Sequence, residues 1–121
     1  MQPELRDPAH LWHAVRAGRE LQEFVAGLSF EQYVEKRALT LAVERQFEIL
    51  GEAVRKISEP LRTVHPEIPW SRMIALRNIL AHRYYAVDHA LLWQIIHEVL
   101  PSVLDQLEQM TPPLPPEIDE G

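Results

Sequence analysis

Between Glu35 and Ile57 the apolar residues Leu39, Val43, Phe47, Leu50, Val54 and Ile57 recur at steps of three and four. That spacing stacks them along one face of an α-helix. No proline interrupts the run. A helix with so long an apolar stripe is stable only when other elements cover it, so the rest of the chain has to supply partners of matching pattern. It does. Asp7-Pro8 pairs an N-capping residue with proline at the first helical position and opens a helix whose stripe is Leu11, Val15, Leu21, Val25 and Leu28. Gly27 is its expected stop. Ser29 caps a short turn, with Gln32 three residues on as capping-box partner. The segment "SEPLRTVHPEIP" is punctuated by Pro60, Pro66 and Pro69 and reads as a loop. A third helix starts near Trp70 and ends between His82 and Tyr85. Asp88 caps a fourth, expected to run to about Met110 on a stripe from Leu91 and Leu92 to Leu107, with a kink at Pro101. Gly51, inside the long helix, costs about 1 kcal/mol against alanine; close approach of a neighbouring helix would explain it. No strand pattern, internal repeat or glycine-rich phosphate loop is present. The expected fold is all-α, an antiparallel four- to five-helix bundle over residues 1–110. Residues 111–121, proline-rich and acidic, form a tail expected to be disordered.

Composition narrows the function. With 121 residues the chain suits one domain with one core, and 46% apolar content fits a globular protein. It has no cysteine, which excludes disulfides and thiolate metal sites and fits a reducing compartment. No apolar run approaches the roughly 20 residues of a membrane span, and the N-terminus lacks the basic start and apolar stretch of a secretory signal. A cytoplasmic protein is expected. The net charge of −6 argues against a general polyanion binder. Charge distribution qualifies that total. From Ser71 to Val87 there are three arginines, Arg72, Arg77 and Arg83, and no acid. A local cationic patch on an acidic body suits a confined contact with phosphate.

That patch overlaps the most unusual stretch of the chain, "ALRNILAHRYY" at residues 75–85. Histidine exchanges protons near neutral pH, and the guanidinium fork fits phosphate oxygens. Asn78 lies four residues before His82, on the same helix face, where it can orient the imidazole or add a donor. Together these groups suit phosphodiester chemistry: His82 would take a proton from a ribose 2′-hydroxyl, and Arg77 would neutralise charge on the phosphoryl oxygens. Spacing also raises an obstacle. Arg77 and His82 are five residues apart, so a straight helix points them about 140° away from each other. Either the helix ends or distorts before His82, or two copies of the segment face each other across a two-fold axis. The second solution also supplies both a base and an acid, which in-line transfer requires. Spacing alone equally permits a plainer interpretation, in which these are caps and solvent-facing side chains at a helix end.

With its flanks, the segment resembles a known family. "PWSRMIALRNILAHRYYAVD" is similar to the motif region of HEPN-domain ribonuclease toxins of the HepT group, whose pattern is R-N-x-x-x-H-x-Y. Arg77, Asn78, His82 and Tyr84 fill the named positions, and Trp70 and Val87-Asp88 match the flanks. "AVERQFEILGEAVRKIS" and "HPEIPW" resemble the family's second-helix segment and connecting loop, and the similarity extends from about residue 8 to residue 108. The resemblance implies a helical-bundle homodimer with a composite cleft at its interface. It implies a metal-independent endoribonuclease acting on RNA without a cofactor, with Arg77 and His82 catalytic and Asn78 supporting them. It also implies a toxin–antitoxin pairing of the type VII kind. The antitoxin there is a minimal nucleotidyltransferase, MntA-like, which neutralises the toxin by AMPylation of the tyrosine two residues after the histidine, here Tyr84. An adduct beside Arg77 and His82 would place anionic charge where substrate phosphate should sit. The alternative is a non-catalytic module of the same fold that docks on a nucleotidyltransferase and binds nucleotide or helps recognise its substrate.

Other candidates carry less. His10 and His13 are three apart, a possible ligand spacing with no obvious third ligand, and no metal site is expected. His65, His89 and His97 suit loop or helix-surface positions. Glu44, Glu48 and Glu52 recur every four residues, as a solvated or interface face would, with the functional variant that one of them orients Arg77 or His82. Trp12, Trp70 and Trp93 are expected as core or interface anchors, and Tyr85 is expected to pack. "HRYY" is the one segment suited to base stacking.

Overall fold

A computed structural model describes residues 6–112. Seven helices and a 3-10 turn account for most of them, and no strand occurs among the described residues: α1 (Asp7–Val25), α2 (Phe30–Glu35), α3 (Arg37–Arg55), α4 (Glu59–Thr63), α5 (Trp70–His82), the 3-10 turn (Tyr84–Ala86), α6 (His89–Gln94) and α7 (Leu100–Met110). The expected all-α bundle is the observed architecture. No described helix is long and apolar enough to cross a membrane.

The apolar stripe that opened the sequence belongs to α3, which is the central helix. It packs against α1 on one side and α5 on the other, and α7 closes the bundle over α1. Val43, Phe47, Leu50 and Val54 are buried in the core with Leu11, Leu21 and Val25 of α1 and with Val103, Leu104 and Leu107 of α7. Small residues matter as much on α1: Ala14, Ala17 and Gly18 are buried and let the neighbouring helices approach, a contribution the spacing of large apolar residues does not reveal.

Several expected junctions are realised. Ser29 and Gln32 form the reciprocal capping box at the start of α2, Gly27 takes the left-handed φ of +78° just beyond α1, and the Asp88 side chain accepts from the Leu91 N–H at the start of α6. Others differ. The helix expected from Glu35 begins two residues later, because Lys36 at φ −99°, ψ 88° interrupts it. The break has a packing reason. Tyr33 and Val43 are ten residues apart, which on one unbroken helix would turn them about 80° from each other; with the break, both are fully buried. Asp7 is not a cap of its own helix. It is the first helical residue, buried, and its carboxylate accepts from the N–H of Ser58 at 2.8 Å and from the Ser58 hydroxyl. It thereby ties the start of α1 to the end of α3. The supposed loop after Ser58 contains α4, which has proline in its first turn, the position a helix tolerates. Pro101 is felt as a change of helix type. Residues Ile95–Val99 form a π-helical turn, and the Leu100 N–H donates to the Ile95 carbonyl five residues back. Of the proline-rich tail, residues 113–121 lie outside the described residues.

α5 is only weakly one-sided: within it just Trp70 and Leu80 are buried. Its Leu76 and Ile79 face Leu91, Ile95 and Val99 of the α6–α7 segment across an apolar groove of about 500 Å³ floored by Phe47 and Leu50 of α3. Ile79, Leu91 and Val99 are 45%, 45% and 41% exposed, more apolar surface than a stripe in contact with a core leaves.

Candidate functional site

Arg77 is positioned by the absence of a side chain. A β-carbon placed on Gly51 of α3 would lie 2.3 Å from the Arg77 Cβ and 3.1 Å from the Met73 carbonyl oxygen. Glycine is therefore what lets α5 lie against α3 at the level of Arg77. From there the guanidinium reaches two partners. Its Nη1 donates to the Asn78 Oδ1 at 3.1 Å, and its Nη2 is 3.6 Å from the Glu52 Oε1. Of the three glutamates on α3, it is thus Glu52 that supports Arg77. The hydrogen bonds from Arg55, and more weakly the Arg77 charge, hold the Glu52 carboxyl below its ordinary range.

His82 is brought to a different face. α5 continues regularly to its last residue, His82, and the Arg83 N–H still donates to the Ile79 carbonyl four residues back at 2.7 Å. The helix does not distort before the histidine. Arg77 and His82 therefore keep the angular separation of about 140° that a regular helix imposes. Arg77 is half-buried towards α3, and His82 is exposed. By the same geometry His82 lies only about 60° from Ile79, on the side of α5 whose Ile79 lines the apolar groove. Asn78 is joined to Arg77 on an exposed surface. Tyr84 opens the 3-10 turn that follows α5; its side chain lies outside the described residues. Tyr85, expected to pack, is 78% exposed.

Arg77 also lines a polar cleft of about 350 Å³ between α1, α3 and α5, together with His10, His13, Arg45, Glu48, Glu52 and Lys56. The histidine pair thus belongs to a cleft shared with Arg77. Burial, and secondarily the Lys56 charge, lowers the His10 pKa.

Spacing did not reveal a second polar cluster. Glu44 is 9% exposed, and its carboxylate is 3.1 Å from the His89 Nε2. The His89 Nδ1 is 2.9 Å from the Tyr33 hydroxyl. One neutral tautomer satisfies both contacts, with Nε2–H donating to Glu44 and Nδ1 accepting from Tyr33. Burial, aided by the Glu44 charge, pushes the Tyr33 phenol up to about 12. Trp93 packs on Tyr33 and Phe30 with ring centroids 5.4 and 5.8 Å away. His89 follows the capping Asp88, so this cluster pins the chain where it leaves the "HRYYAVD" segment. A sequence signal did exist. Glu44 lies about 40° from Thr40 on the α3 wheel and about 60° from Phe47, at the edge of the apolar arc, and a carboxylate buried there requires a partner.

The family model for HepT-like ribonucleases (Ribonuclease HepT-like) matches residues 15–110. The chain belongs to the HepT-like ribonuclease family. Its relatives include a Methanocaldococcus jannaschii protein provisionally named as an RNase, 34% identical over 100 residues that cover 83% of this chain and 92% of that one. A Caldanaerobacter subterraneus subsp. tengcongensis protein, also provisionally named as an RNase, is 33% identical over 101 residues, 84% of this chain and 90% of its own. The probable ribonuclease HepT of Thermococcus cleftensis is 36% identical over 90 residues, 74% and 82% of the two chains. No solved structure matches the chain significantly. Membership in the HepT-like family makes this helical bundle an endoribonuclease of the HEPN class.

Proposed function

We propose that this HepT-like protein is the toxin of a toxin–antitoxin pair in the cytoplasm, and that it cleaves RNA without a metal by attack of a ribose 2′-hydroxyl on the adjacent phosphorus. His82 takes the 2′-hydroxyl proton as the P–O2′ bond forms. Arg77 neutralises charge on the non-bridging oxygens. A second imidazole protonates the departing 5′-oxygen as the P–O5′ bond breaks. The products are a 2′,3′-cyclic phosphate and a 5′-hydroxyl. Asn78 holds the Arg77 guanidinium through their hydrogen bond.

The second imidazole comes from a second copy of the chain. The regular end of α5 leaves a single chain with Arg77 and His82 on different faces, so a composite site is the arrangement that reunites them. The apolar groove supports this, because Ile79, Leu91 and Val99 need cover and His82 lies one helical turn beyond Ile79. Tyr84, two residues after His82, is the acceptor for AMP from a minimal nucleotidyltransferase antitoxin; the adduct blocks the cleft by charge and bulk.

The observation that carries the reading is the complete set of Arg77, Asn78, His82 and Tyr84 along α5 and the turn that follows it in a HepT-like chain. Purified protein incubated with single-stranded RNA in excess EDTA tests it. Cleavage leaving cyclic phosphate ends is expected, with His82→Ala and Arg77→Ala each lowering the rate about 100-fold or more. Undiminished cleavage by His82→Ala would overturn the assignment of the base. Absence of cleavage by unmodified protein would favour a binding module that docks on a nucleotidyltransferase.

A further inference from the structure

The cleft between α1, α3 and α5 is not needed for the chemistry just described. His82 does not line it, yet Arg77 does. Its charge is unevenly compensated. Three cations, Arg45, Lys56 and Arg77, face two carboxylates, Glu48 and Glu52. Glu52 makes its closest contacts with Arg55, which lies outside the cleft, at 2.7 and 3.0 Å; Arg77 stands further off at 3.6 Å. Glu48 has only a loose contact with Arg45, 3.7 Å. The Lys56 side chain makes no hydrogen bond or ion pair among the described residues. His10, whose pKa is lowered by burial and by the nearby Lys56 charge, has a ring N–H to donate in either protonation state, and His13 adds another imidazole at the rim. Beside the rim, the Trp12 ring meets His13 edge-on at 5.1 Å and carries the Arg16 guanidinium at 5.2 Å. Cations with an aromatic at the edge are what single-stranded nucleic acid uses: charge for the backbone and a ring face for a base. At about 350 Å³ the cleft is at the small end for ligand sites, the size of one nucleotide unit.

We propose that this cleft is a second phosphate subsite of the ribonuclease, in which Lys56, Arg45 and the imidazoles of His10 and His13 hold the phosphodiester next to the scissile one in single-stranded RNA, while Arg77 stands between the two phosphates. The proposal rests on Arg77 and His82 being the catalytic pair. It adds that substrate length is sensed on the α1–α3 side of the molecule. Lys56 is the key cation, since its side chain forms no ion pair among the described residues and the Glu52 carboxylate, which feels its charge, is engaged first by Arg55.

The experiment has two arms. In the first, cleavage of a single-stranded oligoribonucleotide is compared with that of a dinucleoside monophosphate, which has one phosphodiester and nothing to place in the cleft. Lys56→Ala and Arg45→Ala are expected to raise KM for the oligonucleotide about three- to tenfold each, with the effect in KM rather than kcat. Lys56→Arg should restore KM, and the KM penalty should vanish on the dinucleotide. In the second arm, oligonucleotide binding to the His82→Ala protein is followed against salt. Each lost phosphate contact should flatten the log–log slope by about 0.7. Unchanged KM and salt slope in Lys56→Ala and Arg45→Ala would overturn the subsite while leaving the nuclease intact. Equal displacement of RNA by inorganic phosphate at matching concentrations would overturn it too, in favour of a free-anion site. Failure of the nuclease reading looks different: the His82→Ala protein would cleave like the wild type, whatever the salt slope.

Discussion

Glu44 and Glu52 stand two helical turns apart on α3 and do unrelated work. Glu52 takes part in an exposed network with Arg55 and Arg77, whereas Glu44 is buried against His89, which in turn meets Tyr33. A four-residue spacing showed that the glutamates share a side of the helix; which neighbour each one meets depends on the helix packed there. The Tyr33 phenol gives a pH signature. Its folded pKa of about 12 lies above the ordinary value near 10, so between those values the unfolded chain releases the proton and the folded chain keeps it. The stability linked to this group is therefore intact below pH 10 and lost as pH rises towards 12, by at most about 2–3 kcal/mol. Urea titrations at several alkaline pH values should show the decline in wild type and a smaller one in Tyr33→Phe. A second test falls on Gly51. A β-carbon there meets Arg77 and the α5 backbone, so Gly51→Ala should destabilise the fold by about 1–3 kcal/mol, read from the denaturation midpoint, and should lower RNA cleavage by displacing Arg77.

At the level of elements, the stripes announced the long helices and the caps announced their starts. Ser29, Gln32 and Asp88 act locally, within a turn of the helix they begin, and local rules sufficed for them. Asp7 followed the same local pattern but uses its carboxylate on Ser58, at the far end of α3, a contact that exists only once the helices pack. Asp7→Ala should leave the buried Ser58 N–H and hydroxyl without an acceptor. A loss of about 1–3 kcal/mol is expected, measured by thermal or urea unfolding, with Asp7→Asn intermediate. The interruption at Lys36 and the π-helical turn before Pro101 have the same origin. Each resets the phase of a helix so that residues out of register in the sequence can face one core.

For the whole molecule, the decisive feature is that one chain keeps Arg77 and His82 on different faces of a regular helix. If two chains build one site, mixing wild type with excess His82→Ala should poison activity. At fixed total protein, and after subunit exchange, the rate should fall as the square of the wild-type fraction, whereas a site within one chain predicts a linear fall. Ile79→Asp, on the exposed apolar groove, should shift the protein to a smaller species in light scattering and depress cleavage with it. An unchanged size would place the interface elsewhere.

The sequence by itself determined the long helices, the neighbouring caps at Ser29 and Asp88, and the presence of the four motif residues, because periodicity, capping and a short motif are properties of neighbours along the chain. It also located the close approach at Gly51 without naming what approaches. Tertiary structure alone decided that the approaching residue is Arg77, that Glu52 rather than its two neighbours on the wheel supports it, that His10 and His13 share a cleft with Arg77, and that His89 and Tyr33 meet around a buried carboxylate. Each of these is a contact between residues far apart in the chain, fixed by how the helices lie against one another and not by the spacing within any one of them.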